Sequence, residues 1–435
     1  MNKKIIINTL GCKVNQYESA AFLCAFEESG CQTAKVGEDA DIVVINTCAV
    51  TANAGAESRK TVRRLMRRHP NAKVVITGCY AQMAANELAE IVESPVCIVG
   101  NGNKHLLVEA ALKETPCDLT MLMGKILKKE TISTLPMKRF GNRTRAYLRV
   151  QDGCNNFCTY CIVPYTRGPS RSLELGAILD QAQRFVDAGH KEMVITGIHV
   201  GMYGKDLKEN MDITDLMVAL CEAHPDIRFR LSSIEPQEIT DKLLTAMATF
   251  QNFMPHFHIP LQSGDDTILS RMRRGYDRET FRTILKKCMR AFPDAAIGID
   301  ILTGFPGEGE EEFNNSKLLL EEIDGTYFHV FPYSKRPGTL AASFPDQVPK
   351  EVSAQRVATL RELAKNKQIE FYTRHLQTER PVLVEKKRNR ENLLCGFTDN
   401  YISVVFDGDD TLMGQIVSVN LKEIQNNTVF GELVR

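Results

Sequence analysis

Short runs rich in Val and Ile alternate with helical stretches along most of this chain, which restricts it to folds built around parallel sheets. In the first part, Lys4-Ile-Ile-Ile-Asn8, Asp41-Ile-Val-Val-Ile-Asn46 and Lys73-Val-Val-Ile-Thr77 read as strands buried on both faces. Glu18 to Glu28 and Ala56 to Arg68 carry helical periodicity between them. A second series has candidate strands at Ala146–Val150, Met193–Thr196, Arg228–Leu231, Phe257–Pro260, Ile297–Leu302 and Tyr327–Phe331. Helical segments near Leu173–Ala188, Ile213–His224, Ile239–Phe250, Arg278–Phe292 and Glu310–Ile323 separate them. Six β/α repeats predict a partial TIM barrel with its site at the C-terminal strand ends, a doubly wound open sheet being the alternative. A polar helix from Lys350 to about Phe371 then leads into short strands divided by Asn, Asp and Gly turns, the pattern of a small β-barrel. The expected fold class is α/β: an N-terminal parallel sheet (residues 1–135), a central (β/α)6 partial barrel (140–370) and a C-terminal β-barrel (371–435). Around Leu119 to Arg145 the periodicity fades, as in a linker or a strand crossing between domains.

With 435 residues and 54 basic against 54 acidic side chains, the chain carries no net charge, which excludes a globally basic nucleic-acid coat but not local patches. No apolar run approaches the ~18 residues of a membrane span. The N-terminus passes from Ile5-Ile6-Ile7 into polar residues without a signal-peptide core, so the expected location is cytoplasmic. Against that background 13 cysteines point to metal or redox chemistry rather than disulfides.

The sharpest of these signals is Cys154-Asn-Asn-Phe-Cys158-Thr-Tyr-Cys161, directly after the first strand of the second series. Three thiolates on one loop suit three irons of a 4Fe–4S cluster and leave the fourth open to a chelating ligand. Zinc would ask for a fourth protein ligand at close spacing, and none follows. Cys12, Cys48 and Cys79 each follow a strand of the N-terminal sheet, in the similar settings Leu10-Gly11-Cys12, Asn46-Thr47-Cys48 and Thr77-Gly78-Cys79. Parallel strands end along one edge, so cysteines distant in sequence can meet there. Three independent buried thiols are the competing reading. Cys24, Cys31, Cys97, Cys117, Cys221, Cys288 and Cys395 lack paired spacing and read as small core residues.

The triplet Cys154, Cys158 and Cys161, with Tyr160 before the last, resembles the cluster motif of the radical S-adenosylmethionine (SAM) superfamily. Joined to a three-cysteine α/β domain and a terminal β-barrel, it is similar over essentially the whole chain to the methylthiotransferase family. Asn8-Thr-Leu-Gly-Cys-Lys-Val-Asn-Gln-Tyr-Glu18 looks like the N-terminal signature of the branch acting on N6-threonylcarbamoyladenosine in tRNA, with Cys12-Lys-Val-Asn15 favouring it over the isopentenyladenosine and ribosomal-protein aspartate branches. Asp152–Gly168, His258–Gly264, Asp300–Glu308 and Phe331–Thr339 continue the family pattern. The resemblance implies that Cys154, Cys158 and Cys161 hold the SAM cluster and that Cys12, Cys48 and Cys79 hold an auxiliary 4Fe–4S cluster. It implies conversion of C2–H of the modified adenine to C2–S–CH3, using SAM for both the radical and the methyl group. The C-terminal barrel would be an RNA-holding TRAM domain, and the partners a tRNA anticodon stem-loop, an electron donor and a sulfur source. A non-catalytic iron–sulfur RNA-binding redox sensor is the reading from another class.

Candidate SAM contacts are Tyr160, Thr196, Gly197, Ser233, Gln262 and Asp300, read as polar groups presented at strand ends, with turn chemistry as the bland account. Thr196-Gly197 could receive the methionine amino group through backbone carbonyls. Arg273 and Arg274 could pair a carboxylate or cap a solvated helix end. Three basic runs, Arg59–Lys73, Lys125–Arg149 and Lys386–Arg390, suggest a phosphate-tracking surface. The acidic residues around Glu308–Glu312 and Glu321–Asp324 offset them, so the zero total hides a polarity. Such a surface would read tRNA shape and an extruded base.

Overall fold

The computed structural model describes residues 3–92, 96–113, 119–126, 132–141 and 143–434. β1 (Lys4–Thr9), β2 (Gln32–Thr33), β3 (Ile42–Thr47), β4 (Lys73–Gly78), β5 (Val96–Val99) and β6 (Leu119–Leu122) form one parallel sheet in the order β2-β1-β3-β4-β5-β6. Every residue of β3 is buried, as its unbroken apolar run requires, because helices cover both faces. Helix α1 (Lys13–Glu28) follows β1, and α2 (Ala52–Arg68) follows β3 with Thr51 Oγ1 accepting from Ala54 N at 3.0 Å as its N-cap. The expected linker near Leu119 is in fact the edge strand β6. Four residues, half-exposed, are too few to announce themselves by periodicity.

The second series folds as read. β7 (Ala146–Arg149) opens it, and β8 (Gln151–Asp152) and β9 (Arg171–Ser172) make a short antiparallel clasp beside it. β10 (Glu192–Thr196) and β11 (Arg228–Leu231) pair in the order β11-β10-β7. β12 (His256–Gln262), β13 (Ala296–Thr303) and β14 (Tyr327–Pro332) form a second parallel triplet. The two halves meet between β11 and β12 through the single bridge Phe229↔Phe253, so the partial barrel has a seam on one side and lacks closure between β7 and β14 on the other. Helix α1 lies along β7 at that unclosed edge, with the Arg149 guanidinium 5.1 Å from the Tyr17 ring centroid.

A 25-residue helix, Lys350–Arg374, leads to the closed barrel of β15 (Glu379–Arg388), β16 (Leu394–Thr398), β17 (Ser403–Phe406), β18 (Ile416–Gln425) and β19 (Thr428–Leu433). This small barrel packs under the N-terminal ends of the central strands. Arg228 Nη2 donates to Pro381 O (3.1 Å), Lys386 N to Thr144 Oγ1 (2.8 Å) and Asn400 Nδ2 to Asp294 O (2.9 Å). The Tyr401 ring sits 4.4 Å from that of His256 and 4.9 Å beneath Arg230. Arg230 is the rivet of this floor. Its Nε donates to the fully buried Glu192 (3.0 Å), and its Nη1 to the Asp399 carbonyl (3.0 Å). Burial alone would push the Glu192 carboxyl up, but Arg230 beside it holds the group below the usual range.

Removing one partner of such a pair strands a buried charge, whereas removing both need not. Arg230→Met should therefore lower stability by about 3–5 kcal/mol in urea unfolding, and the double change with Glu192→Met should recover most of that loss. An Arg230→Met chain as stable as wild type would contradict this role.

Candidate functional site

The N-terminal sheet brings three distant cysteines together. β1, β3 and β4 are neighbours and parallel, and Cys12, Cys48 and Cys79 come at or just beyond their C-terminal ends. Threonines tie these ends to each other: Thr47 Oγ1 donates to Thr77 O (2.6 Å) and Thr77 Oγ1 to Val99 O (2.7 Å). Two glycines allow the convergence. Gly11 has φ +94°, and a Cβ there would lie 2.7 Å from Cys48 Sγ. Gly78 has φ +98°, and its Cβ would lie 2.3 Å from the Thr47 carbonyl oxygen. The sulfurs act on one another electrostatically: burial first, then Cys79 and Cys12, push the Cys48 thiol up to about 11. Cys12, at the edge of the sheet, is exposed to solvent, whereas Cys48 and Cys79 are buried.

A buried ionic knot stands behind this triplet. The fully enclosed Arg167 guanidinium donates to Cys79 Sγ (3.2 Å), Asp152 (2.9 and 3.1 Å), Glu18 (3.0 Å) and Asn15 Oδ1 (2.6 Å). Lys104 also pairs with Glu18, and Arg149 lies 3.8 Å from it. Burial would raise the Glu18 carboxyl, but Arg167, Lys104 and Arg149 together hold it well below the usual range. Asn15 and Glu18 belong to α1, whereas Asp152 and Arg167 flank the second cysteine loop. The knot thus fixes one triplet relative to the other.

The second triplet sits on the loop after β7 and β8. Gly153 has φ +77°, and a Cβ there would lie 2.0 Å from Pro169 O, so the loop can turn only at a glycine. Gln151 clamps it: Nε2 donates to Gly153 O (2.6 Å) and Ser170 Oγ (2.8 Å), while Oε1 accepts from Ile198 N and His199 N at the end of β10. N–H groups converge on the sulfurs. Arg274 Nη1 lies 3.3 Å from Cys158 Sγ, Asn156 N 3.5 Å from Cys154 Sγ and Val163 N 3.5 Å from Cys161 Sγ. His199 Nδ1 is 3.5 Å from Cys154 Sγ, and its Nε2 is 2.8 Å from Glu238. Burial pushes the Cys161 thiol up to about 12. Burial also pushes the Cys12 and Cys158 thiols up. A bound iron–sulfur cluster supplies the positive charge that would make them thiolates, with the surrounding donors as partners for sulfur. Donor type, convergence and N–H lining suit such a group at both triplets.

The other sequence candidates divide. Thr196 ends β10, buried, with its carbonyl accepting from Val150 N (2.9 Å). Gly197 packs against Gln151, where a Cβ would lie 2.8 Å from Oε1. Ser233 is exposed just beyond β11, Gln262 ends β12 with φ +62°, and Tyr160 meets Phe305 edge-on at 6.4 Å. All five lie at C-terminal strand ends or on the cysteine loop. Asp300 does not: it is mid-strand in β13, and its Oδ1 is taken by His258 (2.9 Å) and His329 (3.1 Å). Arg274 pairs with the protein's own Glu235, whereas Arg273 is exposed. Arg167, Gln151, His199, Glu235 and Glu238 were not anticipated. Arg167 and Asp152 were within a quoted motif, but nothing in spacing assigns them to sulfur.

The basic runs also differ. Lys60, Arg63, Arg64, Arg67 and Arg68 stand exposed on α2, and Lys386, Lys387 and Arg390 on the small barrel. The Lys125–Arg149 run is not one face: Arg149 is buried against Tyr17, Arg145 lies 4.3 Å over the Phe397 ring, and Lys138 pairs with Glu28. Its Lys128 and Lys129 fall outside the described residues, as does Cys117. Cys24, Cys31, Cys97, Cys221 and Cys288 are buried as expected, but Cys395 is partly exposed.

Comparison with known proteins agrees with this geometry. Uncharacterized protein family UPF0004 matches residues 4–100, the Radical SAM superfamily residues 148–320 and the TRAM domain residues 375–434. "Threonylcarbamoyladenosine tRNA methylthiotransferase MtaB" of Bacillus subtilis is 38% identical, covering 99% of this chain and 96% of the relative. The protein of that name from Aquifex aeolicus is 35% identical over 93% and 97% of the two chains. "tRNA-2-methylthio-N(6)-dimethylallyladenosine synthase" of Pelotomaculum thermopropionicum is 33% identical over 96% and 95%. In fold, the radical S-adenosylmethionine methyltransferase TsrM of Kitasatospora setae superposes with a TM-score of 0.56 at 13% identity, covering 78% of this chain and 77% of that one.

Arg167→Met would leave Glu18, Asp152 and Asn15 facing an apolar side chain. A loss of about 3–5 kcal/mol on urea unfolding is expected, with less for Asp152→Asn, because Glu18 still balances the guanidinium. Equal, small effects of the two would refute the knot.

Proposed function

The chain belongs to the tRNA methylthiotransferase family of radical SAM enzymes, and on that footing we propose that it methylthiolates C2 of N6-threonylcarbamoyladenosine beside the anticodon. The observation that carries the reading is the pair of cysteine triplets at two sets of strand ends, locked together through Arg167. In this reading Cys154, Cys158 and Cys161 hold the 4Fe–4S cluster that binds SAM, and Cys12, Cys48 and Cys79 hold a second 4Fe–4S cluster. When bound, these groups and SAM supply the radical that removes hydrogen from an unactivated C2–H, the sulfur that replaces it and the methyl group that caps it.

The protein's own part is placement. Gln151 and Gly153 shape the SAM-cluster loop, Arg274 lends positive charge to Cys158, and Arg167 does so for Cys79. Tyr160, Thr196, Gly197, Ser233 and Gln262 rim the space where SAM would lie, and polar backbone at Thr196-Gly197 suits its amino group. Asp300 belongs deeper, with the histidines. Among the described residues no helix is long and apolar enough to cross a membrane. Action on tRNA fits a cytoplasmic enzyme served by an electron donor and a sulfur source. The exposed bases of α2 and of the TRAM barrel suit phosphate contact.

Anaerobic reconstitution should give about 8 irons per chain, two 4Fe–4S clusters. Cys48→Ala and Cys158→Ala should each retain about 4, and Cys158→Ala should form no 5′-deoxyadenosine. Full iron in Cys48→Ala would refute the auxiliary site. In a strain lacking the gene, nucleoside mass spectrometry should show loss of 2-methylthio-N6-threonylcarbamoyladenosine with other methylthio nucleosides unchanged. Loss of the isopentenyl product instead would reassign the substrate.

A further inference from the structure

The turn after β14 carries Arg336 inward, where it is only 4% exposed. Ser334 Oγ accepts from Ala52 N at the start of α2 (2.9 Å), and the Arg336 carbonyl accepts from Thr339 N (3.2 Å) and Thr339 Oγ1 (2.8 Å), so both ends of the turn are tied. The guanidinium is placed by its neighbours. Nη1 lies 3.6 Å from where a Cβ on Gly55 would stand, and the ring of Tyr80, next to Cys79, lies 3.0 Å from the same point. Gly55 and Ser58 share a face of α2, and Ser58 Oγ holds both Cys48 N (3.2 Å) and Cys48 O (3.1 Å). Arg336 thus stands on the helix face that fixes Cys48 and beside the ring that follows Cys79. What it lacks is a partner. Among the described residues no carboxylate pairs with it, and Nε and Nη2 are buried without an acceptor. Those two atoms form one edge of the guanidinium, the edge that grips an anion through two parallel N–H bonds. Burial works against this charge, and the groups that favour it are Tyr80 and Cys48. Arg167 and Arg274 differ, because each spends N–H groups on a carboxylate as well as on sulfur.

We propose that the Nε–Nη2 edge of Arg336 is the hydrogen-bonding seat for the anionic iron–sulfur cluster held by Cys12, Cys48 and Cys79. The inference rests on the auxiliary-cluster reading above. A buried cation with an empty edge is costly to the chain by itself. A 4Fe–4S core on three thiolates carries net negative charge, more so once reduced, and is the anion this site is built to hold. Arg336 is then a donor to cluster sulfur, neither a ligand to iron nor an anchor of the fold. Hydrogen bonds and positive charge at the sulfurs favour the reduced state, so they raise the reduction potential and help retain the cluster.

The test uses the full-length chain with Cys154, Cys158 and Cys161 all replaced by Ala, reconstituted so that the N-terminal cluster alone forms. In this parent, Arg336→Met should make the cluster's reduction potential more negative in a titration followed by electron paramagnetic resonance. It should also release iron to a chelator roughly 10- to 100-fold faster. Arg336→Lys, which keeps the charge but not the fork, should fall between. Without cluster, Arg336→Met should resist urea at least as well as the cluster-free parent, unlike Arg230→Met and Arg167→Met, because the charge it removes is unpaired. If Arg336→Met takes up no cluster, this last measurement decides. A cluster-free chain as stable as its parent ascribes the loss to the missing donor, whereas one destabilised like Arg230→Met has lost a structural partner and overturns the proposal. An unchanged potential and release rate overturn it as well. A parent that takes up no iron would refute the auxiliary-cluster reading itself, and this inference with it.

Discussion

The Arg167 guanidinium is the interaction on which the rest of the arrangement depends. A buried arginine is tolerable only when its N–H groups find acceptors, and this one finds them on α1, on the barrel hairpin and on a cysteine sulfur. Each acceptor is thereby fixed relative to the others. Two triplets held by separate cores, one under the six-stranded sheet and one in the barrel, are tied in position because this charge bonds both Cys79 and Asp152. Lys104 and Arg149 add enough positive charge to keep Glu18 ionised in a place where burial alone would protonate it. The knot is dense in charge, and its geometry leaves little freedom.

The barrel is incomplete in two ways, and each gap is met by another part of the chain. Between β7 and β14 the strands do not close, and α1 lies along the free edge of β7. Below, the N-terminal strand ends rest on Tyr401 and the carbonyls of Thr398 and Asp399, held by Arg230.

Much of this was legible in the sequence. β-branched runs and their spacing gave β3, β4 and all six barrel strands nearly to the residue, because burial on both faces leaves a continuous apolar signature. The convergence of Cys12, Cys48 and Cys79 followed from parallel topology alone. What escaped was set by three-dimensional contact. β2 and β6 are short and half-exposed or exposed edges with no pattern to read. Arg145 and Arg149 looked like a basic surface because charge density in sequence says nothing about whether Phe397, Tyr17 or Glu18 lies opposite. Asp300 was counted among the strand-end groups although the predicted strand ran on to Leu302; β13 reaches Thr303 and leaves that carboxylate among imidazoles.

The floor position of the TRAM barrel carries a last consequence. The thiol triplets lie at the C-terminal strand ends and the TRAM barrel at the N-terminal ends, so the whole height of the central strands separates them. Strands of this length rise roughly 3.3 Å per residue, which puts the two ends on the order of 20 Å apart. On the tRNA reading proposed above, a nucleic acid gripped at both places would be measured as well as bound. Its modified base and distal phosphates would have to stand at that spacing, so that the scaffold would work as a caliper.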